Sequence, residues 1–186
     1  MATGFVADAL LTAEEYGRLD DGGRLTELVR GRVLEISPPK PKHGRICLRI
    51  GALLLQYVDQ HHVGHVFSND TGVITERSPD TVRGPDIAYF SYQRLPEDAD
   101  LDEYPSHPPE LVFEVKSPSD SWRDIAEKVA EYLQVGVDAV CIVDPEEHIA
   151  VVHTPSAPPK TLTVEQTLEF PGILPGFQLP LGSLLS

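Results

Sequence analysis

Between positions 111 and 116 the chain reads Leu-Val-Phe-Glu-Val-Lys, a strand-forming run with a carboxylate and an ammonium set inside it. Side chains alternate along a strand, so Leu111, Phe113 and Val115 point one way and Val112, Glu114 and Lys116 the other. A helical pattern, Trp122 to Gln134, and a strongly apolar strand, Val137 to Val143, come directly after it. That order makes the segment a central strand covered by a helix. Ionic groups on such a strand are costly unless they are paired or used. The plain reading is a Glu–Lys pair near water at a strand end. The functional one is a reactive site.

The rest of the chain supplies the frame. Ile46, Cys47, Ile50, Leu53, Leu54, Tyr57 and Val58 recur at helical spacing, which predicts a helix over residues 42–60. Thr12 with Glu15 forms a capping box for a short helix. Leu25–Arg30 and Arg32–Ile36 read as a β-hairpin turning at Arg30-Gly31. A second hairpin is expected from Val63–Phe67 and Gly72–Thr75 around Asn69-Asp-Thr-Gly72. Residues 78–84 read as a loop, Ile87–Phe90 as a short buried strand, and 94–109 as a polar loop. His148–Val152 should pair with the strand before it, and the Pro-rich stretch 154–160 reads as a connector. Pro171, Gly172, Pro175, Gly176 and Pro180 predict a tail of short strands and turns.

The expected fold is therefore α/β, a mixed sheet with one helix on each face, an N-terminal hairpin and a Pro/Gly-rich C-terminal extension. One domain over residues 12–186, after a loose segment 1–11, accounts for the length.

Fifteen basic against 29 acidic residues give a net charge of −14, which argues against non-specific tracking along duplex DNA. A compact site that recruits a divalent cation remains compatible. Cys47 and Cys141 read as buried thiols of a reducing compartment, too few for a cysteine zinc site. The longest apolar run, 51–55, cannot span a bilayer, so a cytoplasmic protein without membrane contact is expected.

Pro85-Asp86 opens the strand Ile87–Phe90, whereas the similar Pro79-Asp80 has no apolar strand behind it, and so Asp86 is the better candidate. Pro-Asp, then residues 87–113, then Glu114-x-Lys116 resembles the PD-(D/E)xK nuclease superfamily, with its restriction-endonuclease-like fold. Glu27-Leu-Val-Arg-Gly-Arg-Val33, His43-Gly44, Val82-Arg-Gly-Pro-Asp-Ile-Ala88, Glu110 to Ser119, Asp124, Lys128, Tyr132 and Gly136-Val137 follow in order. With the ending Leu174-Pro-Gly-Phe-Gln-Leu179, they are similar to the bacterial Uma-two family over nearly the whole chain, from about Thr12 to Leu181.

The resemblance implies a metal-dependent endonuclease acting on DNA. Asp86, Glu114 and the carbonyl of Val115 would hold Mg²⁺ or Mn²⁺, since hard cations take oxygen ligands. Lys116 would serve the attacking water, Glu27 would add a third acidic group, and His43 would orient toward phosphate or water. Family members commonly carry an apolar residue at position 116 and a working lysine at the position of Lys128. This chain has both, and Lys116, already on the strand, is preferred. The alternatives are a catalytically idle binding or assembly module that keeps the fold, or a phosphodiesterase on RNA or small nucleotides. A homodimer is expected, because cutting both strands needs two sites and because Phe177 and Leu179 offer apolar surface. Trp122 reads as core. Arg45, Arg49 and Arg83 read as solvated surface rather than phosphate contacts, and His61, His62 and His65 as no zinc site.

Overall fold

The computed structural model describes residues 10–20, 22–68 and 71–186. The expected lead-in, up to residue 9, and Asn69 and Asp70 of the expected second turn lie outside the described residues. Helix α1 is Ala13–Tyr16, with the Thr12–Glu15 capping box in place. Strands β1 (Thr26–Val29) and β2 (Arg32–Glu35) form the first hairpin. Its two turn residues, Arg30 and Gly31, have φ of 49° and 75°. That is the left-handed pair a two-residue hairpin needs. A Cβ on Gly31 would come within 2.6 Å of Leu10 Cβ, so no larger residue fits there.

Helix α2 (Pro41–His61) starts with proline in its first turn, where the missing N–H costs nothing. Strands β3 (Gly64–Ser68) and β4 (Val73–Glu76) follow, but they do not pair with each other, which corrects the second expected hairpin. The segment read as a loop contains β5 (Thr81–Arg83), which pairs with both β4 and β1. The resulting small sheet has the order β2-β1-β5-β4. Asp80, the rejected Pro-Asp candidate, is an anchor of this sheet. Its Oδ2 accepts the Ala13 N–H at 2.8 Å and Arg77 Nη1 at 2.9 Å, and its Oδ1 accepts the Ser78 N–H at 3.1 Å.

The main sheet is built from β3, β6 (Ile87–Ser91), β7 (Leu111–Val115), β8 (Ala139–Asp144), β9 (Ile149–Thr154) and β10 (Ala157–Thr163), in the order β10-β9-β8-β7-β6-β3. β7 is interior, parallel to β8 and antiparallel to β6. The Pro-rich stretch read as a connector is the edge strand β10. Its pairing with β9 is irregular between Ala157 and Lys160, where two prolines have no N–H to give.

The two large helices cover opposite faces. Ile46, Ile50, Leu54 and Val58 of α2 pack with Ile87, Leu111, Phe113 and Val115. Each such side chain, fully buried, contributes about 1.5–3 kcal/mol relative to exposure. Helix α3 (Trp122–Val135), capped by Ser121 and ended by Gly136 at φ 107°, lays Ile125, Val129 and Tyr132 on Val112, Val140 and Ile142. The alternation of β7 thus turns Glu114 toward α3. No helix among the described residues is long and apolar enough to cross a membrane.

The tail folds as β11 (Thr167–Phe170), β12 (Leu174–Pro180) and α4 (Leu181–Leu185) on the α2 side of the sheet. Phe177 and Leu179 are only 3% and 0% exposed, so they fill the chain's own core and offer no dimer surface. Trp122 is the reverse correction. It is 49% exposed at the first position of α3, where its ring meets the Lys116 ammonium instead of the core.

Candidate active site

The antiparallel register of β6 and β7 pairs Ile87 with Phe113 and Ala88 with Val112. One step further out, Asp86 stands opposite Glu114. Both residues sit where the ladder ends, so their carboxylates are released from the sheet while their backbones are fixed by it. Asp86 Oδ2 accepts the Val115 N–H at 2.7 Å and lies 3.3 Å from His43 Nε2. Glu114 Oε1 accepts the Tyr132 hydroxyl at 2.9 Å and lies 3.8 Å from Lys128 Nζ. Among the described residues, no hydrogen bond reaches Asp86 Oδ1 or Glu114 Oε2.

Burial pushes the Glu114 carboxyl up to about 7; Lys128 opposes this, and the nearby negative charges of Asp86 and Glu27 add to it. Removing water from a carboxylate disfavours its charged form, and a second carboxylate does the same. Glu114 is thus an acid whose charge lacks full compensation within the protein.

Lys128 leaves α3 for the same space. Its Nζ donates to Glu27 Oε1 at 2.9 Å. Burial disfavours the ammonium, but Glu114 and Glu27 outweigh it and hold Lys128 above its usual value. Glu27, on β1, is buried and also accepts Arg83 Nη1 at 2.8 Å and the Gly84 N–H at 3.3 Å. Burial raises Glu27, yet Lys128 and Arg83 together bring it below its ordinary range. Arg83 completes the chain of charges with a two-pronged contact to Glu131, Nε to Oε2 at 2.7 Å and Nη2 to Oε1 at 2.8 Å. The expectation of a solvated Arg83 is corrected: it is buried between two carboxylates.

Lys116 shares the Glu114 side of the strand but does not reach that carboxylate. The parallel register that pairs Val115 with Val143 sets Lys116 beside Asp144. Its Nζ lies 3.5 Å from Asp144 Oδ2 and 3.7 Å from Glu146 Oε2, and 5.7 Å from the centre of the Trp122 ring. Cross-strand neighbours on one face attract each other, and here they claim the lysine. A cleft of about 70 Å³ between β7 and α3 is lined by Glu114, Val115, Lys116, Asp124, Ile125 and Lys128. A larger cavity, about 730 Å³, lies at the acidic loop around Asp100–Tyr104 and is lined by none of these residues.

His43 stands at the start of α2 and addresses Asp86. Burial disfavours its charged form, but the Asp86 carboxylate outweighs this and holds the imidazole above its ordinary value. Its Nδ1 lies 3.4 Å from the Cys47 sulfur, one helical turn on. Burial, with Asp86 close by, pushes the Cys47 thiol far up, so it is a neutral SH group.

Of the sequence-derived candidates, Asp86, Glu114, Glu27, Lys128, His43 and Val115 meet in one region around the end of β7. Lys116 lines the same cleft but is held by Asp144. Arg49 binds the carbonyls of Ser183, Leu184 and Ser186 at the end of the chain. Glu131 was not singled out in the sequence, and Tyr132, Arg83 and Cys47 were read as helix stripe, solvated surface and buried thiol, without a role at the site. Only Cys47 left a local trace, its i, i+4 spacing from His43.

A mixed sheet with a helix on each face, carrying an Asp and a Glu opposite one another at the end of two central strands, defines a restriction-endonuclease-like protein. The chain belongs to the Uma2 family, described as "Putative restriction endonuclease", which matches residues 13–182. A crystal structure of a putative nuclease belonging to DUF820 from Anabaena variabilis superposes with a TM-score of 0.81. It is 19% identical, and the likeness covers 94% of this chain and 97% of that one. Among curated proteins there is no match.

Proposed function

We propose that the protein is a divalent-cation-dependent endonuclease that hydrolyses phosphodiester bonds in DNA. The observation that carries this reading is the opposition of Asp86 and Glu114, each with one oxygen free of hydrogen bonds among the described residues, beside the Lys128 ammonium. The donor set fits magnesium or manganese: two carboxylate oxygens, with the Val115 carbonyl, which the His43 imidazole also faces, as a third hard ligand. When bound, such an ion supplies an activated water and stabilises charge on the phosphoryl group.

The chain's own residues hold the geometry. The Val115 N–H and His43 fix Asp86 Oδ2, and among the described residues Oδ1 takes no hydrogen bond. Tyr132 fixes Glu114 Oε1 in the same way. Lys128 is the ammonium best placed to meet negative charge on a phosphate, and Glu27, itself tied to Arg83, keeps it pointed there. Lys116 is already engaged by Asp144 and Glu146, so the geometry favours the helix-borne lysine over the strand-borne one.

The test is cleavage of supercoiled plasmid by purified protein with Mg²⁺ or Mn²⁺ against the same protein in chelator. Nicked or linear product that appears only with the ion, and not in Asp86→Ala, supports the reading. Absence of cleavage with any divalent ion, on DNA or RNA, would move the fold to a binding or assembly role.

A further inference from the structure

His43 and Cys47 are one turn apart on α2 and share a face, while Asp86 approaches from the end of the sheet. Cys47 Sγ is 3.4 Å from His43 Nδ1, and Asp86 Oδ2 is 3.3 Å from His43 Nε2. One ligand atom from each of the three side chains lies within 4.8 Å of the other two, and all three are half-buried. A nitrogen, a sulfur and an oxygen are not the donors of magnesium. They suit a borderline-soft ion, above all zinc, which takes Cys, His and carboxylate ligands in tetrahedral array. Bonds of about 2.0–2.3 Å at tetrahedral angles place neighbouring donors about 3.3–3.6 Å apart, so a set already within 4.8 Å needs only a small inward movement of its side chains to close on an ion. The sulfur faces Nδ1 and the carboxylate faces Nε2, so binding through one nitrogen draws the other side chain toward it.

We propose that His43, Cys47 and Asp86 form a zinc site on the α2 side of the sheet, distinct from the oxygen-lined site but sharing Asp86 with it. Binding forms a zinc–sulfur bond and breaks the Cys47 S–H bond, with the proton passing to solvent. Three protein ligands leave a fourth position for water. A carboxylate drawn toward His43 and Cys47 is withdrawn from Glu114, so zinc opposes the hard cation. The site itself stands apart from the proposed nuclease activity; only this opposition rests on it.

Cobalt(II) is the probe, because a thiolate bound to it gives a near-ultraviolet charge-transfer absorption. Titrating the full chain with cobalt should produce that band, zinc should erase it, and Cys47→Ser should lack it. Cys141→Ser, altered on β8 and not on α2, should keep it. No band in the wild type, or a band that persists in both Cys47→Ser and Cys47→Ala with circular dichroism unchanged, overturns the proposal. In a parallel arm, zinc should inhibit magnesium-supported cleavage, and Cys47→Ser should require on the order of tenfold more zinc. A cobalt band without any cleavage would sink the nuclease reading and leave this site standing. Cleavage without the band would do the reverse.

A separate observation lies on the outer face of α2. Leu48 and Leu55 are 73% and 46% exposed, and Ala52 between them is exposed too. Steps of four and three put them on one stripe opposite Ile46, Ile50, Leu54 and Val58, with Arg45 and Asp59 at its two ends. The stripe complements itself. Laid antiparallel on a second copy about a twofold axis at Ala52, Leu48 meets Leu55, the small residue allows close approach, and Arg45 meets Asp59. We infer that α2 pairs with a second copy of this chain through this face. Light scattering at micromolar concentration should give a dimer, which Leu48→Glu abolishes. Arg45→Asp should weaken the dimer and Arg45→Asp with Asp59→Arg should restore it. Ala52→Cys should cross-link under oxidation. A monomeric wild type, or a dimer indifferent to Leu48→Glu, refutes it.

Discussion

Replacing Glu114 with glutamine should make the ion-free protein more stable at alkaline pH while removing a group its proposed chemistry needs. The carboxyl is held at about 7 in the folded protein against an ordinary 4.5, chiefly by burial. A folded-state value raised above the unfolded one means that the folded state keeps a proton the unfolded chain has lost. Stability therefore falls as pH rises through the window from about 4.5 to 7, and the full penalty persists above it. At about 1.36 kcal/mol per unit, that penalty is about 3 kcal/mol. Solvent screening discounts it little, since the side chain is only 14% exposed. Glutamine keeps an oxygen for the Tyr132 hydroxyl, and Lys128 keeps its 2.9 Å contact with Glu27. Urea unfolding of both proteins in chelator should show Glu114→Gln ahead by about 3 kcal/mol at pH 8 and within about 0.5 kcal/mol at pH 4.5. A variant less stable than wild type at pH 8 would mean that attraction to Lys128 outweighs desolvation, and the reasoning would fail.

Lys128→Ala should lower plasmid cleavage by about two orders of magnitude, whereas Lys116→Ala should retain most of it; the opposite result would restore the strand-borne lysine. Arg83→Leu should cost about 3–5 kcal/mol of unfolding free energy, because it strands Glu27 and Glu131 in a buried site. A urea midpoint that shifts by less than the equivalent of about 1 kcal/mol would show that the pair is solvated after all.

The parts of this fold that the sequence made legible are those governed by local period. The α2 stripe from Ile46 to Val58, the α3 stripe from Ile125 to Tyr132 and the alternation of Leu111–Val115 all carry their burial pattern in their spacing. Asp86 and Glu114 were legible as a pair because each abuts an apolar strand. What escaped depends on partners far away in the chain. Whether β3 pairs with β4 or β6 is decided by which surface β4 covers, and β5 is a strand because β1 and β4 flank it. Lys116 was misdirected for a similar reason. Alternation gives its side of the sheet, but the parallel register with β8 places Asp144 beside it. Arg83 and Glu131, 48 positions apart, have no common local signal. The prolines of β10 hid a strand because an edge tolerates what a central ladder does not.

The proposed activity requires Asp86 and Glu114 to share one cation. Crystals soaked in manganese, with anomalous data collected at the metal's absorption edge, test this directly. One strong peak should appear, bound by Asp86 Oδ1 and Glu114 Oε2, within about 2.5 Å of each. A peak elsewhere, or one that holds Asp86 without Glu114, would contradict it.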